Sequence, residues 1–217
     1  MDPLNARFRD RVDAGRALAR RLQHHAHGKQ VLVLGLPRGG VVTAAEVAEA
    51  LGVPLDVLVI RKLGVPGHEE LAMGAIGPGG VRVVNDEIVR DLAITRREIE
   101  QVAQLETKEQ KRREALFRGG RPPLDLKGLT VILVDDGLAT GATMLAAVKA
   151  ARLLHAARVV VAVPVAARAS LAAVRKEADE VVCVMTGDPF IAVGNWYESF
   201  DQTSDAEVTA LLVSCHA

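Results

Sequence analysis

Two adjacent carboxylates, Asp135 and Asp136, end the apolar run Leu129 to Val134, and the chain then turns through Gly137, Leu138, Ala139, Thr140, Gly141, Ala142 and Thr143. Unpaired charge at the tip of a buried strand is costly, so two acids in that position call for a partner. The vicinal hydroxyls of a ribose, or a Mg²⁺ bound to them, have the right chemistry. Beyond the acids, small residues and two threonine hydroxyls stand where a helix begins, so backbone N–H groups and the helix dipole can converge on a phosphate. An acid pair for a diol beside an amide nest describes a sugar 5-phosphate site in one contiguous segment. Rival phosphate motifs fail on spacing: no Lys follows Gly141 as in a Walker loop, and Gly35 to Gly40 does not match G-x-G-x-x-G. A strand-ending turn with Thr140 as a helix cap accounts for single residues of the string but not for their conjunction.

Such a loop must be held by a sheet. Val31 to Leu34, Val57 to Ile60, Leu129 to Val134, Val159 to Val163 and Val181 to Val184 are short apolar runs that alternate with helical patterns at Val41 to Leu51, Gly141 to Leu154 and Ser170 to Glu177. That alternation predicts an α/β fold with a mostly parallel sheet buried on both faces, with ligands bound beyond the carboxyl ends of its strands. Phe8 to Leu22 has the spacing of an amphipathic opening helix, and Gly35 to Gly40 forms a tight loop between strand and helix. Ala75-Ile76 and Val81 to Val84 flank Gly77 to Gly80 as a hairpin, whereas the Gly-, Pro- and charge-rich stretch Gly64 to Glu70 predicts a mobile loop. From Asp86 to Phe117 the chain is charged and helix-prone, with Asn85 or Asp86 capping a first helix and Thr95 a second.

The bulk composition narrows the partners. A chain of 217 residues, 49% apolar, can bury one substantial core, and its balanced 27 basic and 27 acidic residues carry no global footprint of a nucleic-acid or membrane-surface binder. Two cysteines, Cys183 and Cys215, are too few for a disulfide scaffold, no apolar stretch approaches membrane-spanning length and no signal core opens the chain, so a cytoplasmic location is expected. His24, His25 and His27 lie at a helix end without a separated second ligand group and read as a solvated terminus rather than a metal site. Lys108 to Arg113 is a mixed-charge stretch, read as a solvated face, so nucleic acid is not an expected partner.

The string Val134 to Met144 resembles the phosphoribosyl-pyrophosphate signature of type I phosphoribosyltransferases. The likeness extends to Gly35 to Gly40 as the pyrophosphate loop, Arg61-Lys62 as the basic pair, Val65 to Gly74 as the flexible loop, and Asp188 to Asp205 near the C-terminus. It implies a type I phosphoribosyltransferase fold over residues 1–217 as a single domain, with 86–118 a helical insertion and 186–217 a tail contributing to the hood that covers the acceptor. It further implies Mg²⁺ as cofactor, held by Asp135 and Asp136, and phosphoribosyl pyrophosphate with a small nitrogenous acceptor as substrates. In those terms Asp135 and Asp136 hold the ribose hydroxyls and Leu138 to Thr143 cradle the 5-phosphate. Pro37, Arg38, Gly39, Arg61 and Lys62 would meet the pyrophosphate, with a nonstandard peptide expected between Leu36 and Gly39. Catalytic candidates are Arg38, Lys62, Asp136 and, as general base in the closing loop, Glu69 or Glu70. Four of the six aromatic residues, Phe190, Trp196, Tyr197 and Phe200, cluster near the C-terminus. Trp196 and Tyr197 are candidates to stack on a base, or they only pin the tail. Ala139 stands where the 6-oxopurine branch carries an aspartate, which argues against hypoxanthine or guanine. The charged helix near Thr95 to Arg118 completes the hood or contacts another subunit of a homodimer. A rival reading is a non-catalytic phosphoribosyl-pyrophosphate sensor, to be favoured by a basic patch of Arg112, Arg113 and Arg118; a third is a pyrophosphokinase-like or hydrolytic enzyme.

Overall fold

A computed structural model describes residues 7–214; residues 1–6 and 215–217, Cys215 among them, and the side chain of Glu70 lie outside what is described. Five strands, β1 (Val31–Gly35), β2 (Leu55–Val57), β6 (Thr130–Val134), β7 (Arg158–Ala167) and β8 (Glu180–Gly187), form a parallel sheet in the order β2-β1-β6-β7-β8. Successive residues of these strands point to opposite faces, and both faces are covered. Val33, Ile132, Val134, Val160 and Ala162 pack beneath α1 (Arg11–Arg21), α2 (Gly39–Leu51) and α7 (Asp205–Ser214). Leu34, Val131, Leu133, Val159 and Val161 face α5 (Ala142–Leu153) and α6 (Arg168–Val174). Burial on both sides is why these strands read as continuous apolar runs.

A second, antiparallel sheet joins β3 (Arg61–Val65), β4 (His68–Ile76) and β5 (Arg82–Val84). It packs through Leu63, Val65, Met73 and Ile76 on Ala103 and its neighbours in α4 (Arg96–Arg118). Here the expected flexible loop is corrected, since Val65 to Gly74 is mostly strand, turned at Pro66-Gly67. The buried Leu63, Val65 and Met73 give the hairpin a core on α4 that outweighs its glycine and proline content. Asn85 caps α3 (Asp86–Asp91), and Thr95 with Glu98 forms a capping box on α4. The run Val57 to Ile60 also differs, since β2 ends at Val57.

Strand β7 extends past the expected Val163 to Ala167. Its pairing with β6 ends at Ala162, so Pro164 falls where one flank no longer carries a ladder. Helix α7 was not expected; Ser204 and Glu207 cap its start reciprocally. No helix among the described residues is long and apolar enough to cross a membrane.

Candidate active site

Strand β6 delivers Asp135 and Asp136 to the carboxyl edge of the sheet. The amide of Asp136 donates to Asp135 Oδ1 at 2.9 Å, and Arg11 at the start of α1 places Nε 2.8 Å from Asp136 Oδ2. Arg11 is itself fixed, with NH1 donating to the Asp201 carbonyl at 2.7 Å and the guanidinium carbon 3.8 Å from the centroid of the Phe200 ring. Burial, and then the neighbouring Asp136, push the Asp135 carboxyl well above the usual carboxylate range. Burial raises Asp136 as well, against the opposing pull of Arg11. A carboxylate pair driven toward protonation has most to gain from hydroxyl donors or a divalent cation, so this donor set fits Mg²⁺.

Glycines let the neighbouring loop close onto the acids. A Cβ on Gly40 would stand 2.8 Å from Asp135 Oδ1, and one on Gly39 would overlap Asp136 Oδ2 and Arg11. The Pro37–Arg38 peptide between them and β1 is cis, within the stretch where a nonstandard peptide was expected.

Beyond the acids the loop is pinned to β7. Leu138 donates its amide to the Val165 carbonyl and accepts from the Ala167 amide, both at 2.9 Å. Its side chain is buried, so Leu138 cannot offer an amide to a phosphate and leaves the expected cradle. The amides of Ala139, Thr140, Gly141, Ala142 and Thr143 have no hydrogen-bond acceptor among the described residues, and Gly141 takes the left-handed φ of 79° that turns the chain into α5. Ser170 Oγ donates to the Ala139 carbonyl from α6.

Beside this nest opens a cleft of about 620 Å³ that brings together Pro37, Arg61, Lys62, Glu69 and Thr143 with Glu106 of α4. Arg61 Nε sits 2.7 Å from Glu106 Oε2. Lys62 also borders a second cavity, about 470 Å³, between β4, β5 and α5. Arg38 does not join the cleft; its guanidinium lies 3.8 Å from Asp205 of α7.

Tyr197 is corrected from acceptor platform to support: it is buried, and its hydroxyl donates to the Asp136 carbonyl. Burial, and then Asp136, push its phenol upward, so it stays a donor. Trp196 is half-buried, stacks on Phe190 at 5.8 Å between ring centroids, and covers Gly187.

The phosphoribosyl transferase domain family matches residues 8–198, a span that contains the acid pair, the amide nest and both basic elements. The chain belongs to that family. Two proteins of Mycobacterium tuberculosis, strains CDC 1551 / Oshkosh and ATCC 25618 / H37Rv, each bearing the name "putative phosphoribosyl transferase", are each 51% identical to it over 209 residues, covering 96% of this chain and 47% of theirs. It thus spans about half the length of these curated relatives. The crystal structure of TT1426 from Thermus thermophilus matches with a TM-score of 0.85 and 42% identity, covering 96% of this chain and 98% of that one. The type I phosphoribosyltransferase fold read from Val134 to Met144 therefore holds.

Around this phosphoribosyl transferase loop, Arg11, Ser170 and Glu106 escaped the sequence reading. Each comes from an element distant in sequence and carries no local motif. The basic patch of the rival reading does not assemble: Arg118 is buried on Asp56 at 3.0 Å, and Arg112 and Arg113 both pair with Glu109.

Proposed function

We propose that this protein transfers the 5-phosphoribosyl group of phosphoribosyl pyrophosphate to a nitrogenous acceptor, a nucleobase by preference, and releases pyrophosphate in a Mg²⁺-dependent reaction. The observation that carries the reading is the run of five acceptor-free amides, Ala139 to Thr143, set against a carboxylate pair that burial drives toward protonation. Amides hold the 5-phosphate; Asp135 and Asp136 accept from the ribose hydroxyls of the same molecule. Mg²⁺ bound at these acids would neutralise charge on the departing pyrophosphate.

Arg61, Lys62 and the Pro37 to Gly39 loop then stabilise the leaving group as the C1–O bond breaks and the acceptor nitrogen bonds to C1. Arg38 contributes once its guanidinium leaves Asp205. The proton of the acceptor nitrogen passes to the carboxylate of Glu69, which borders the cleft, or of Glu70 beside it in sequence. A planar acceptor would meet Trp196 rather than Tyr197, whose ring is buried. Ala139 in place of an acid supports an acceptor other than a 6-oxopurine.

The rival sensor reading needs an exposed cationic face, and the pairing of Arg118 with Asp56 gives it no support. The deciding experiment incubates isotope-labelled phosphoribosyl pyrophosphate and Mg²⁺ with pooled nucleobases and small amines and follows pyrophosphate release. Release that depends on one acceptor is expected. Tight binding with no release from any pool would overturn the transferase in favour of the sensor.

A further inference from the structure

At the edge of the sheet opposite the acid pair, a helical turn at Gln23–His25 follows α1 and sets two imidazoles against Glu180, the first residue of β8. His24 Nε2 lies 2.8 Å from Glu180 Oε1, and His25 Nε2 lies 3.3 Å from Glu180 Oε2. One ligand atom from each of the three residues falls within 4.8 Å of the others. Two donors on one tetrahedral ion at about 2.0–2.1 Å are themselves about 3.3 Å apart, so donors that lie within 4.8 Å of one another need side-chain adjustments of about 1.5 Å at most to share one ion. Glu180 is the separated ligand group that the histidine cluster lacked in the sequence.

The second observation is an orphan. The His25 side chain is only 11% exposed, yet its Nε2 is buried without a hydrogen-bond partner among the described residues, because its approach to Glu180 lacks hydrogen-bond geometry. A buried ring nitrogen without a hydrogen-bond partner is an exception in folded proteins, and a cation bound at this position would satisfy it. Arg158 meanwhile holds Glu180 Oε2 at 3.0 Å, which orients the carboxylate and leaves Oε1 for a metal. His24 is 55% exposed and provides an entry path and room for a water as fourth ligand.

We propose that His24, His25 and Glu180 bind a zinc-class divalent ion that clamps the end of α1 to the edge strand β8. Two imidazoles and a carboxylate suit Zn²⁺ over Mg²⁺, which separates this site chemically from the acid pair. Its role is structural: α1 carries Arg11, the partner of Asp136, at one end and leads into this cluster at the other. The proposal is independent of the transferase reading.

The test is titration of chelator-treated, untagged protein with Zn²⁺, and with Co²⁺ as a spectroscopic probe, alongside His24→Gln, His25→Gln and their double variant. Expected are one saturable equivalent, visible Co²⁺ bands of a four-coordinate site, and a rise in Tm with Zn²⁺. Each single variant should weaken binding at least about tenfold, with excess Mg²⁺ unable to compete. Because His24 is largely exposed, His24→Gln should keep the wild-type circular dichroism and so separates loss of a ligand from loss of the fold. Absence of saturable uptake by the wild-type protein, or uptake unchanged in the double variant, overturns the proposal.

Discussion

Replacing Arg11 with methionine keeps much of the side-chain volume but strips Asp136 of its guanidinium. The two side chains are 12% and 16% exposed, and breaking a pair this buried by removing one partner costs about 3–5 kcal/mol. Protonation of Asp136 sets a ceiling. With an unfolded-chain aspartate near 3.9 and about 1.4 kcal/mol per pH unit, keeping the carboxyl neutral costs about 4 kcal/mol at pH 7 and about 1.5 kcal/mol at pH 5. The sign follows from linkage. Without Arg11 the folded-state pKa of Asp136 rises further above its unfolded value, so the variant keeps its stability at low pH and loses it as pH climbs toward the folded value. Arg11→Met should therefore be less stable than wild type at pH 7, with an Asp136 share of at most about 4 kcal/mol, roughly 8–16 °C in Tm, and that share should shrink to no more than about 1.5 kcal/mol at pH 5. Urea denaturation followed by far-UV circular dichroism at both pH values measures the difference, and groups that titrate alike in both proteins cancel. An equal deficit at the two pH values, or none at pH 7, would refute the idea that Arg11 acts through Asp136.

Asp56→Ala leaves Arg118 in a site where its side chain is 8% exposed, and should lower stability by about 3 kcal/mol in urea unfolding, the low end for a broken buried pair because Glu114 still faces Arg118 at 3.7 Å. Gly39→Ala drives a Cβ into Asp136 and Arg11, so pyrophosphate release should fall at least about 100-fold in kcat/KM while the circular dichroism stays native. Burial pushes the Cys183 thiol up to about 11. In a Cys215→Ser background it should react with a disulfide reagent at pH 8 about two orders of magnitude more slowly than a free thiol, with the rate restored in urea. Reaction of native Cys183 at the free-thiol rate would contradict that burial.

The sheet was legible because both faces of its strands are buried, which turns each into an unbroken apolar run. The loop from Asp135 to Thr143 was legible because its acids, glycines and hydroxyls are consecutive in the chain. What spacing could not reveal is who braces that loop. Arg11 lies 125 residues from Asp136 and Tyr197 lies 61 residues from it, and only the packing of α1 and of the 188–200 segment onto the sheet edge joins them. The β3–β4 hairpin was misread for a related reason. Its glycines and Pro66 signal a loop locally, while the contacts of Leu63 and Met73 that make it a strand pair lie on α4. Helix α7 did leave a local trace, the Ser204-Asp205-Ala206-Glu207 capping pattern, which the aromatic cluster just before it overshadowed.

Bracing of one residue, Asp136, by its carboxylate and by its main-chain carbonyl from opposite flanks of the sequence also orders events during synthesis. The ribosome delivers Arg11 well before Asp136, and Tyr197 some 61 residues afterward, roughly 3–12 s at ordinary translation speeds. Over that interval neither prop is in place, because Arg11 is itself held by Phe200 and Asp201, which follow Tyr197 in the chain. A nascent chain thus carries the acid pair on an unbraced turn, and the loop is complete only as the closing segment of the sheet edge folds into place.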